Sequence, residues 1–108
     1  MGIQKLERDI DTLLRYMNQS IESRGLSIDK AFFAFTEEQD AEHLIGKARW
    51  TTEHLKKIIK ICIRRTFLKY TFEHNHDYLQ EVSLTLKGQI RATFADEDTR
   101  SDSDRVAI

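Results

Sequence analysis

A single cysteine, no proline and only four glycines leave this chain without several devices that shape small folds. One cysteine, Cys62, cannot close an intramolecular disulfide, so the oxidised framework of small secreted domains is excluded. It falls at a core position of a helical pattern and reads as a small buried hydrophobe. The absence of proline fits a chain made mostly of regular structure. Long apolar runs are missing too: the longest, Ala31–Phe35, is five residues, against about 20 for a helix that crosses a bilayer. The first residues place Glu7 and Asp9 where an export signal has its apolar stretch, so a soluble, cytoplasmic protein is expected. Glycine-rich phosphate loops, nucleophile elbows and carboxylate pairs at workable spacing are all wanting. No enzyme is expected, and no cofactor.

What remains is a chain of 108 residues, the size of one domain, 40% apolar and 32% charged. Its net charge of −1 conceals a strong segregation. Residues 1–46 carry 5 basic and 9 acidic side chains, 47–70 carry 8 and 1, 71–94 carry 2 and 3, and 95–108 carry 2 and 5. A block that basic within an almost neutral chain marks a surface for an anionic partner.

The apolar spacing locates the elements. Ile3, Leu6, Ile10, Leu13, Leu14, Met17 and Ile21 recur at three- and four-residue steps and predict an amphipathic helix over 3–23, ended by Gly25. Its stripe suits either the core or a partner helix. Leu26–Phe35, with Phe32, Phe33 and Phe35, is expected as a buried turn or short helix that plugs the core. Thr36-Glu37-Glu38-Gln39 fits a capping box for a short second helix with Ala41, Leu44, Ile45 and Ala48 inward. Trp50-Thr51-Thr52-Glu53 supplies another start, with a threonine cap, an acidic first turn and an apolar residue just before. Leu55, Ile58, Ile59, Cys62, Ile63 and Thr66 then form the stripe of a third helix. Phe67–Phe72 and Tyr78–Leu84 have strand composition and flank a polar turn, so a hairpin is expected. Thr85 caps a final helix from Leu86 to about Phe94. The acidic tail, 95–108, is expected to be disordered.

The stretch Asp40-Ala41-Glu42-His43-Leu44-Ile45-Gly46-Lys47-Ala48-Arg49-Trp50-Thr51-Thr52-Glu53-His54-Leu55, continued by Lys56-Lys57-Ile58-Ile59-Lys60-Ile61-Cys62-Ile63-Arg64-Arg65-Thr66-Phe67-Leu68-Lys69-Tyr70, resembles the helix-turn-helix and first wing strand of small bacterial and phage winged-helix proteins. Leu84-Thr85-Leu86-Lys87-Gly88 resembles the segment by which such domains pass from the second wing strand into a closing helix. The resemblance covers about residues 36–94 and implies an α+β, mainly helical fold: a winged helix-turn-helix of three helices, a β-hairpin wing and a C-terminal helix over 1–94. It also implies that the third helix enters the DNA major groove while the hairpin touches the flanking backbone or minor groove. Many relatives carry a glycine between third helix and wing, where this chain has Arg65-Thr66.

On a helical wheel with Leu55 at zero, Lys56, Lys60, Arg64 and Lys57 fall at about 100°, 140°, 180° and 200°, sharing the outward face almost without acidic neighbours. Lysines and arginines so placed release counterions from phosphates, and arginine suits guanine edges. Thr51, Thr52 and His54 at the helix start are candidates for phosphate or base contacts. Lys47 and Arg49 flank the turn, and Lys69, His74, Asn75 and His76 belong to the wing. His74 and His76 would give a metal only two ligands, so no metal site is expected. These residues point to a duplex-DNA-binding protein, a transcriptional regulator, homodimeric through the N-terminal helix. The alternative is a winged-helix protein-interaction module, to which an outward-leaning Ile61, at about 240°, would contribute. An acidic tail folding over the basic helix in competition with DNA is a further possibility.

Overall fold

The computed structural model describes residues 2–34, 49–71 and 81–95. The expected second helix, Lys47, the hairpin tip with His74, Asn75 and His76, and the tail over 96–108 lie outside the described residues. The domain is α+β and mainly helical. Helix α1 spans Gly2–Arg24, a 3-10 turn Ile28–Lys30, strand β1 Phe33–Ala34, helix α2 Thr52–Arg64, strand β2 Leu68–Tyr70 and strand β3 Glu81–Leu84. Helix α3 follows over 86–95. No helix among the described residues is long and apolar enough to cross a membrane.

The stripe on α1 goes to the core. Ile10, Leu13, Leu14, Met17 and Ile21 are all buried, with Leu6 packed at the edge. The helix that the sequence offered as a dimer element has therefore enclosed that apolar face within its own domain, against α2 and β3. It stops at Gly25, whose φ of +65° only glycine adopts readily. There the Gly25 amide donates to the Glu22 carbonyl at 3.1 Å and the Leu26 amide to that of Ile21 at 3.2 Å, the paired bonds of a helix closed by a left-handed residue.

Helix α2 begins where the capping chemistry predicts. Thr51 has an extended backbone, and its hydroxyl oxygen accepts the His54 amide at 3.1 Å. Leu55, Ile58, Ile59 and Cys62 are buried, while Ile61 and Ile63 pack partly against the core. Ile61 is thus half-buried at the edge of the core, further inward than its place on the wheel. Thr66 is corrected as well, being exposed and lying beyond the helix. Its φ is +63°, and the amides of Thr66 and Phe67 donate to Ile63 and Cys62 at 3.1 and 2.9 Å. A β-branched residue performs here the closing role that Gly25 performs on α1.

The sheet is three-stranded, in the order β1-β3-β2, and antiparallel throughout. Leu68 pairs with Leu84 and Tyr70 with Val82 across the hairpin, and Phe33 pairs with Val82 on the other side. The segment expected as a turn or short helix therefore supplies a strand. Phe33 is buried, its ring edge-on to Tyr16 at 6.3 Å, whereas Phe32 alternates outward and is exposed. As the central strand, β3 is enclosed on both faces: Val82, Ser83 and Leu84 are all buried.

Thr85 caps α3. Its oxygen accepts the Gly88 amide at 3.1 Å, its amide donates to the Phe67 carbonyl at 3.0 Å, and its hydroxyl lies 2.6 Å from the Thr66 carbonyl and 2.9 Å from that of Phe67. Gly88 is buried against that same carbonyl, and only a residue without a side chain lets the helix approach so closely.

Candidate nucleic-acid interface

The ends of α2 explain which charges are structural and which face outward. Two carboxylates of α1, Glu7 and Asp11, lie on the side turned to α2 and α3 and find cations there. Arg65, the residue that caps α2, donates from Nη1 to Glu7 Oε1 at 2.7 Å. Arg91 on α3 donates from Nε to Asp11 Oδ1 at 2.7 Å and from Nη2 to the second oxygen of Glu7. Bonds from Arg65 first and Arg91 second hold the Glu7 carboxyl below its ordinary pKa. Burial works against the Arg91 charge, but its bonds to Asp11 and Glu7 outweigh burial and raise its pKa. The guanidinium of Arg91 and the ammonium of Lys87 both lie over the Phe67 ring, each 4.9 Å from its centroid. Lys87 also donates to the Arg65 carbonyl at 2.8 Å, a cation on the negative end of α2.

At the other end of α2, His54 does not join the outward face. Its Nε2 lies 2.7 Å from Asp9 Oδ2 on α1, and its ring meets the buried Trp50 edge-on at 5.1 Å. His54 thus fixes the start of α2 against α1. Thr51 accepts a backbone bond but keeps its hydroxyl proton, which an anion's oxygen can accept. Thr52 and Arg49 are exposed beside it, and Arg49 holds a left-handed φ of 58°.

Between those ends the outward face of α2 is basic. Lys56, Lys57 and Arg64 are exposed and Lys60 is half-buried, and Glu53 in the first turn is the only acid on the helix. From Lys56 through Lys60 to Arg64 the charges recur every fourth residue over about 12 Å of helix. The two adjacent arginines divide: Arg65 turns inward to Glu7 while Arg64 stays outward. Lys69 is exposed in β2, opposite in the pleat to Leu68 and Tyr70. Lys47, His74, Asn75 and His76 lie outside the described residues.

Cys62 is buried, and burial pushes its thiol up to about 12, so at neutral pH it is neither nucleophile nor metal ligand. The residues that position α2, namely Arg65, Lys87 and Arg91, were not singled out in the sequence. A signal did exist, because Glu7 and Asp11 stand at a four-residue step where like charges repel unless cations arrive from elsewhere. Comparison with family models, with curated proteins and with solved structures returns no match for this chain.

Proposed function

We propose that this chain is a winged-helix domain that binds duplex DNA through the outward face of α2 and acts as a transcriptional regulator. The observation that carries this reading is the basic run of α2, in which Lys56, Lys57 and Arg64 are exposed on the outward face and Glu53, in the first turn, is the one acid of the helix. An ordinary solvated helix interleaves both signs, whereas a helix that docks on phosphates does not. The order of elements supports the same function. A hairpin of β2 and β3 follows directly on α2, and β1 pairs on the far side of β3, a layout in which the hairpin serves as the wing beside a major-groove helix.

In this arrangement the lysines bind phosphates as compact charges, Arg64 suits a guanine edge, and Thr51, Thr52 and Arg49 meet the backbone near the helix start. The test is affinity for mixed-sequence duplex DNA across a salt series, wild type beside Lys56→Glu/Lys60→Glu/Arg64→Glu. Each phosphate contact contributes about 0.9 to the slope of log affinity against log salt, so the triple variant should flatten it by about 2 to 3. Wild-type protein that fails to bind even at low salt would overturn the proposal.

A further inference from the structure

Among the described residues, helix α3 carries its largest apolar side chains outward and its smallest inward. At 100° per residue its core side is centred on Gly88 and Ala92, both buried, and on the opposite side lie Leu86, Ile90 and Phe94. These three are 63%, 49% and 62% exposed. Single apolar residues on a surface are ordinary, but three large ones in register along one helix face form a patch of the kind that marks an interface.

We propose that this stripe joins two copies of the chain, their α3 helices antiparallel about a twofold axis through Ile90. Four-residue spacing makes the stripe self-complementary: Ile90 packs on itself at the axis, and Leu86 meets the partner's Phe94 on either side, as an isologous contact requires. Charge selects the same geometry. Residues 86–95 include Lys87 and Arg91 and no carboxylate, and Arg91 is turned inward to Glu7 and Asp11. An antiparallel pair keeps the two copies of Lys87 about 9 Å apart along the axis, where a parallel pair would set them side by side. Opposed helix dipoles favour it as well.

Area sets the strength. With roughly 100 Å² left exposed on each side chain, two copies cover about 600 Å² of apolar surface, half of the 1,200 Å² at the lower limit of a stable interface. A contact of that size makes the dimer reversible, dissociating in the micromolar range or above. The α1 stripe cannot substitute, being enclosed in the core. None of this depends on DNA binding.

Sedimentation equilibrium of the full chain, from micromolar to near-millimolar concentration, tests the proposal. Wild type should show a monomer–dimer equilibrium that Ile90→Glu weakens by on the order of tenfold or more, with circular dichroism unchanged and melting unchanged at concentrations where wild type is monomeric. Disulfide trapping reads the geometry, since the native thiol is buried. Ile90→Cys should cross-link, Leu86→Cys alone should not, and Leu86→Cys combined with Phe94→Cys should. A wild-type monomer at every concentration, or a dimer indifferent to Ile90→Glu, overturns the homodimer. Efficient cross-linking of Leu86→Cys alone overturns the antiparallel arrangement.

Discussion

Replacing Gly88 by alanine should destabilise the domain even though alanine is the better helix former by about 1 kcal/mol. A Cβ at this position would stand 2.3 Å from the Phe67 carbonyl oxygen and 2.8 Å from Leu84 Cδ1. The leucine can rotate, but the carbonyl cannot, because the Thr85 amide holds it at 3.0 Å while the Thr85 hydroxyl ties down the same turn at the Thr66 carbonyl, 2.6 Å away. To restore ordinary contact α3 must retreat by about 1 Å, loosening Ala92 and the cations over Phe67. Overpacking of this kind costs about 1–3 kcal/mol, and weakening the amide bond to Phe67 adds about 1 kcal/mol. After the gain in propensity the net loss is about 1–3 kcal/mol, a fall of roughly 4–8 °C in Tm per kcal/mol. Urea unfolding followed through the single, buried Trp50 measures it. Gly25→Ala is the control: nothing lies within 4 Å there, so its cost is conformational only, about 1 kcal/mol. A Gly88→Ala protein more stable than wild type would refute the close-approach argument, since propensity alone would then govern the site.

Thr66→Gly should stabilise by about 0.5–1 kcal/mol, the left-handed strain of a β-branched residue exceeding the entropy that glycine adds to the unfolded chain; an unchanged or lower urea midpoint would count against strain at φ +63°. Because the folded-state pKa of Glu7 lies below its unfolded value near 4.5, the unfolded state binds more protons as pH falls through that window. The Glu7 contribution is complete above pH 4.5 and is lost as pH drops through the depressed value; Glu7→Gln should flatten that part of a melting-temperature profile, and parallel wild-type and variant profiles would disprove the linkage. Leu55→Ala, at a fully buried position of α2, should cost about 2–5 kcal/mol in the same urea assay. Cys62 should react with a thiol reagent at neutral pH only as fast as the chain opens, and rapid labelling under native conditions would contradict its burial.

Much of the fold was legible because side-chain spacing alone decides it. The stripe from Ile10 to Ile21, the Thr51 cap, the Thr85 cap and the pairing of the two hairpin strands all follow from local chemistry. β1 was not legible: Phe33 and Ala34 make a strand only because β3 lies beside them, and two residues carry no period of their own. On α3 the four-residue step of Leu86, Ile90 and Phe94 was visible, but a wheel does not say which side the domain covers. Gly88 and Ala92 decide that through their smallness. Within the candidate interface the basic face of α2 could be drawn from the sequence. The diversion of His54 to Asp9, and of Arg65 to Glu7, could not, since each pair joins residues about fifty positions apart.

The strand order has a consequence for how the chain comes to be folded during synthesis. Strands β1 and β2 never touch each other, and both depend on β3, the last of the three to be translated. Until Val82 and Leu84 have left the ribosome, Phe33 and Leu68 have no sheet partner, and the helices made earlier hold their apolar sides without the layer that closes them. Pairing Phe33 with Val82 then closes a loop of about fifty residues, a slow step compared with forming a helix. The nascent chain is therefore most exposed to aggregation and proteolysis just before its final helix appears, and a truncation ahead of residue 81 should leave helical segments that cannot complete a domain.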